Sequence, residues 1–263
     1  NIAGYNSEQE ASQAFGDIDG DGDLDWLVGS WSYAQWRTLL NGGPVYGVGK
    51  GSFWVQRNDL MDISTTTTCG NCQSETAILI ADLNNDTFPD VYVGSPGGQN
   101  WLWHNSNGKG KMIHVTSSHL PSISAYTNHV LSSDIDFDGD IDLFAAIDGQ
   151  SRLFVGELDY KYADATASNV PTGMNANSTG AEVVDLDLDG FPDFFTTSYE
   201  GQNQLILNKG GAVFENFTQD LPRDKDPSRS VHKGDFDGDG VVDLFISNQQ
   251  ANRIYLNKTP HPP

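Results

Sequence analysis

Apolar runs of strand length recur along the chain, each directly behind a cluster of acids. They are DWLVGS from Asp25, DVYVGS from Asp90, DLFAAI from Asp142, DFFTTS from Asp193 and DLFISN from Asp243. Each is short, rich in aromatic and β-branched residues and bounded by turn residues, which predicts a buried strand rather than a helix. A mixed run precedes each acidic cluster (SQAFG, AILIA, HVLSS, GAEVV, SVHKG) and predicts a partner strand. A third element follows, as YAQWRTLLN, GQNWLWHN, GQSRLFVG, GQNQLILN and QANRIYLN. A fourth appears in the first four units around Phe53, Met112, Tyr160 and Phe214, clearest in GSFWVQ and AVFENFT. Amphipathic helical spacing is hard to find anywhere.

The acidic clusters start at Asp17, Asp82, Asp134, Asp185 and Asp235, with offsets of 65, 52, 51 and 50 residues. Four short strands at a period near 50 residues is the signature of a β-propeller blade, a small sheet that buries its faces only against neighbouring blades. The predicted fold is all-β, a propeller of about five four-stranded blades with one calcium loop in each. It forms a single domain over 1–263, with blades at roughly 8–60, 75–118, 127–166, 178–219 and 228–263. A β-sandwich with acidic turns is the competing architecture, disfavoured because independent turns do not keep register over five units.

The clusters share the pattern D-x-[DN]-x-[DN]-[GT]-x-x-D. Carboxylates this close repel by about 1 kcal/mol per pair even in water, so a cation among them is expected. Oxygen ligands at alternate places with a turn-permitting Gly at place six suit Ca²⁺, and the absence of His and Cys from the loops disfavours Zn²⁺. The candidate ligands are Asp17, Asp19, Asp21, Asp23 and Asp25 in the first loop. The second has Asp82, Asn84, Asp86, Phe88 and Asp90, and the third Asp134, Asp136, Asp138, Asp140 and Asp142. The fourth has Asp185, Asp187, Asp189, Phe191 and Asp193, and the fifth Asp235, Asp237, Asp239, Val241 and Asp243. The seventh place contributes a backbone carbonyl. An EF-hand needs Glu at place twelve, but Val28, Val93, Ala145, Thr196 and Ile246 stand there. The loop therefore belongs to a β-hairpin. Asn84 and Thr87 make the second loop the weakest.

The five units resemble the FG-GAP/VCBS repeats of integrin α-subunit-like propellers, through their DxDxDGxxD loops and the following NRIYLN-type strand. The resemblance covers nearly the whole chain. It implies up to five Ca²⁺ ions, and loops joining the first two strands of each blade on the side opposite the usual ligand-binding face. Propellers of that family mostly have seven blades, where this chain shows five. The last unit stops after its third strand, so residues 1–6, a segment of a longer protein or a neighbouring subunit is expected to complete it.

The chain has 263 residues and a net charge of −22, from 36 acids and 14 bases. The five loops hold 21 of those acids, so the rest of the chain is nearly neutral and the charge marks metal sites. A charge this acidic argues against nucleic acid and anionic membrane surfaces as partners, and no apolar run is long enough to span a bilayer. It begins with Asn, which suggests trimming from a longer chain. Cys69 and Cys72, in CGNC, read as an extracellular disulfide in a projecting loop, since neither a helix nor further metal ligands accompany them. Sequons place candidate glycans at Asn177, Asn216 and Asn257; Asn85 lies inside a calcium loop. Loops of this type fill at extracellular calcium levels, so a secreted or cell-surface location is expected. Trp26 reads as core, while Trp31 and Trp36 are candidates for stacking on a sugar or partner. His104, His114, His119 and His129 read as surface residues.

There is no nucleophile elbow, HExxH or phosphate-binding Gly loop. The preferred reading is a non-catalytic binding or adhesion module for glycan or extracellular protein. A self-associating filament or matrix subunit is the alternative, and a polysaccharide-acting enzyme using a hidden Lys, Tyr or Glu pair comes third.

Overall fold

In the computed structural model every acidic loop joins two antiparallel strands, and the ninth-place aspartate opens the second. The structure describes residues 10–30, 37–40, 55–56, 77–109, 111–223 and 226–259. The strand pairs are Glu10–Gly16 with Asp25–Ser30, Ala77–Ala81 with Asp90–Gly94, and Ala125–Ser133 with Asp142–Gln150. They continue as Asn175–Val184 with Asp193–Ser198 and Ser228–Gly234 with Asp243–Asn248. The register is repeated: Gly16 faces Asp25, Ala81 faces Asp90, Val184 faces Asp193 and Gly234 faces Asp243.

The third strands are Arg37–Leu40, Trp101–His104, Arg152–Glu157, Gln204–Asn208 and Arg253–Tyr255. Fourth strands Val55–Gln56, Ile113–His114, Lys161–Asp164 and Phe214–Asn216 complete four of the repeats as meanders. In the fifth repeat Arg253–Tyr255 has no further strand beside it among the described residues.

Helical pieces that periodicity did not predict follow three fourth strands: α-helices Thr116–His119 and Thr166–Asn169 and a 3-10 turn Thr218–Asp220. Pieces of three or four residues are too short to show a helical period in sequence. Each opens with a threonine whose hydroxyl accepts a third-strand amide. The bonds run from Leu102 N to Thr116 Oγ1 (2.8 Å), Leu153 N to Thr166 Oγ1 (3.0 Å) and Leu205 N to Thr218 Oγ1 (3.2 Å).

The chain divides into two compact units, residues 1–127 with 159–161, and residues 128–158 with 162–263. In the first, Ile18, Leu27, Val91, Val93, Trp101 and Trp103 form the core. In the second, the adjacent residues Phe194 and Phe195 feed separate clusters. Phe194 packs with Phe144, Leu153, Ile206 and Phe214, and stacks on Phe144 at 4.0 Å between ring centroids. Phe195 packs with Leu207, Val231, Leu244 and Ile246. Alternate residues of a strand point to opposite faces, so one second strand seals two cores. This explains why Asp193–Ser198 is buried at all six positions, its polar Asp193, Thr196, Thr197 and Ser198 included.

The same period corrects Trp26. It is half-exposed and stacks on Phe15, its partner across the strands, at 5.9 Å, while Leu27 takes the core side. Trp31, Trp36 and Trp54 lie outside the described residues.

Candidate metal centres

The acidic loops are wrapped by their own carboxylates. The first-place aspartate accepts the amide of the sixth residue in all five. The donors and distances are Gly22 at 2.9 Å, Thr87 at 2.8 Å, Gly139 at 3.2 Å, Gly190 at 2.9 Å and Gly240 at 2.9 Å. The fifth-place aspartate accepts the seventh amide, from Asp23, Phe88, Asp140, Phe191 and Val241, at 2.8–3.0 Å. The backbone reverses twice through the left-handed region, at places four and six. Place six is Gly22, Thr87, Gly139, Gly190 and Gly240, with φ between 75° and 98°. Place four is Gly20, Asn85, Phe137, Leu188 and Gly238, with φ between 61° and 79°. The second-place residue anchors the turn: Ile18, Leu83, Ile135 and Leu186 are buried, whereas Phe236 is exposed.

This winding gathers oxygens. Asp17, Asp19 and Asp25 each offer a carboxylate oxygen within 4.8 Å of the others, as do Asp134, Asp136 and Asp142, and Asp185, Asp187 and Asp193. In the fifth loop the group is Asp235, Asp237 and Asp239, without Asp243. Among the described residues the second loop forms no such group.

An all-oxygen set of this kind fits a hard divalent cation. Two observations support the fit. Asp134 Oδ1 is buried and has no hydrogen-bond partner. In the fourth and fifth loops a cation already stands against the acids: Lys209 Nζ lies 2.7 Å from Asp187 Oδ2, and Lys258 Nζ binds Asp237 and lies 3.1 Å from Asp239 Oδ2. Burial chiefly pushes the Asp142 and Asp193 carboxyls up to about 6 and about 7, a cost that a bound cation would offset. Crowding by Asp138 adds to burial in raising Asp136.

The ninth-place carboxylate has a structural role that sequence reasoning missed. One oxygen accepts the second-place amide, from Ile18, Leu83, Ile135, Leu186 and Phe236. The other accepts an amide at the end of the third strand: Asn105 at 2.8 Å, Gly156 at 2.7 Å, Asn208 at 2.8 Å and Asn257 at 2.7 Å. It thus staples the loop to two strands. The asparagines then reach back one repeat. Asn105 Nδ2 donates to the Ile18 carbonyl (2.9 Å), Asn208 Nδ2 to Ile135 (2.9 Å) and Asn257 Nδ2 to Leu186 (2.8 Å). The recurring final N of WLWHN, LILN and IYLN was the visible signal for this.

The second loop differs in kind. Asn84 Nδ2 lies 3.1 Å from His104 Nδ1, which is also 3.1 Å from Asp90 Oδ1, so an imidazole closes the loop from the side. His104 is therefore not the surface residue that its sequence suggests. Burial holds Asp90 above the usual carboxylate range. Cys69 and Cys72 lie outside the described residues. Asn216 is exposed at the end of a fourth strand, Asn177 is half-buried in a first strand, and the Asn257 amide is engaged as described.

The FG-GAP-like repeat family model matches residues 82–145, 134–196 and 185–246, overlapping windows that each run from one acidic loop through the next. Integrin alpha-7 of Rattus norvegicus is 32% identical over 102 residues, 36% of this chain and 8% of that protein. Integrin alpha-7 of Homo sapiens is 29% identical over 136 residues, 49% of this chain and 11% of that protein. The chain thus spans about a tenth of the length of these relatives. Among solved structures, an Agrocybe aegerita lectin that recognises non-reducing terminal N-acetylglucosamine matches with a TM-score of 0.60 and 16% identity. The match covers 98% of this chain and 66% of the lectin, and it is a likeness of fold. With its matched windows covering residues 82–246, more than half of the sequence, the chain belongs to the FG-GAP-like repeat family.

Proposed function

We propose that this chain is a calcium-stabilised, non-catalytic binding module of a secreted or cell-surface protein, folded as a β-propeller of about five blades, with glycan or extracellular protein as its ligand. The observation that carries the reading is the gathering of three carboxylates in each of four loops, from places one, three and nine in three of them and one, three and five in the fifth repeat. Each such group is costly without an ion, so the metal is a component of the fold. Repeats related to those of integrin α-subunits, and a fold likeness to a lectin, support recognition of an extracellular partner. The carboxylates recruited to the loops are committed to structure, which favours binding over catalysis.

The test has two parts. Calcium titration by calorimetry is expected to give several equivalents bound, and glycan and protein arrays are expected to retain the chain with calcium and release it on chelation. Failure to bind calcium at millimolar concentration overturns the metal reading. Array binding that survives chelation unchanged overturns the coupling of metal to recognition.

A further inference from the structure

The residue that follows the third strand's final asparagine divides the loops into two kinds. It is Lys209 in the fourth repeat and Lys258 in the fifth, whereas Gly42, Ser106 and Glu157 hold the corresponding place in the others. The lysine-bearing repeats have four acids in their loops, with Phe191 and Val241 at place seven. The loops at 17 and 134 have five, with Asp23 and Asp140 there.

Both lysines turn onto the same two carboxylates of their own repeat. Lys209 Nζ donates to Asp187 Oδ2 at 2.7 Å and lies 3.9 Å from Asp189 Oδ2. Lys258 Nζ donates to Asp237 and, at 3.1 Å, to Asp239 Oδ2. These are places three and five of the loop. The third-place carboxylates belong to the gathered groups, so the ammonium and a divalent ion draw on the same charge.

We propose, resting on the calcium reading above, that Lys209 and Lys258 are tethered counter-ions. They neutralise the loops at 185 and 235 when calcium is low and must swing out before the ion enters. The four loops that gather carboxylates then fall into two classes. The five-acid loops at 17 and 134 fill first. The lysine-bearing loops fill later, with less net charge gained per ion, and their repeats tolerate loss of calcium better.

The test uses the full chain with calcium alone as probe, comparing wild type with K209M/K258M. Methionine keeps most of the stem and removes the charge. Calorimetric titration is expected to resolve two affinity classes in the wild type, and the weaker class should tighten about tenfold in the variant. In EDTA the same variant should melt below the wild type. Opposite signs with and without calcium are the signature of a counter-ion, since a lysine with a merely structural role shifts both states the same way. The reciprocal variant E157K should weaken one of the tight sites. Unchanged affinities in K209M/K258M, or equal destabilisation with and without calcium, overturn the proposal while leaving the calcium reading standing. A wild type that binds no calcium overturns both.

Discussion

Thr87 stands at the sixth loop place with φ at 75°, where the other four loops have glycine. A β-branched side chain in the left-handed region costs about 1–2 kcal/mol. Thr87→Gly should therefore stabilise the protein by about 1 kcal/mol, net of the entropy glycine adds to the unfolded chain, as read by urea denaturation. In the third loop Asp134 belongs to a gathered group, and in the second Asp82 does not. Asp134→Ala should accordingly lower the calcium-loaded melting temperature further than Asp82→Ala, and equal shifts would refute that ranking. His129 is half-buried, and its burial, with the charge of His232 second, holds its imidazole below the ordinary value of 6.5. As pH falls through 6.5 the unfolded chain takes up a proton that the folded one resists, so His129 subtracts stability on the acid side. His129→Gln should flatten the fall in melting temperature between pH 7 and pH 5. At this scale the sequence announced where carboxylates gather, because alternating acids with a turn-permitting residue at place six wind the chain back on itself. It did not announce Phe137 and Leu188, which adopt the left-handed conformation at place four where residue type usually signals it. Nor did it announce His104 or the two lysines, whose approach to the acids depends on how far the third strand runs beside the loop.

Strand pairing explains which parts of each element were readable. Second strands were legible because both of their faces are buried, leaving short runs such as DLFAAI directly behind an acidic cluster. Fourth strands were visible only as isolated apolar residues, and they prove to be two to four residues long. The three helical pieces left no periodic trace. The double-faced second strand makes its residues the most sensitive in the fold. Phe194→Ala removes a ring stacked on Phe144 from a closed cluster, and a loss of about 3–5 kcal/mol is expected by chemical denaturation. Asn208→Ala deletes a smaller side chain but strands the buried Ile135 carbonyl, at about 1–3 kcal/mol.

For the molecule as a whole, the charge of −22 is concentrated in the loops, so ion binding and folding should move together. A single site at hundredfold saturation contributes about 2.7 kcal/mol, or about 5–10 °C in melting temperature for a chain of this size. Excess EDTA should lower the calorimetric midpoint by at least that much, and an unchanged midpoint would mean the carboxylates hold nothing. The asparagines at the ends of the third strands add a directional consequence. Asn208 grips a carbonyl in the preceding repeat's loop, and Asn257 grips one in the loop of the repeat that carries Asn208. Loosening at Asp134 should therefore pass through the Asn208 and Asn257 bonds like a dropped stitch, toward the carboxyl end.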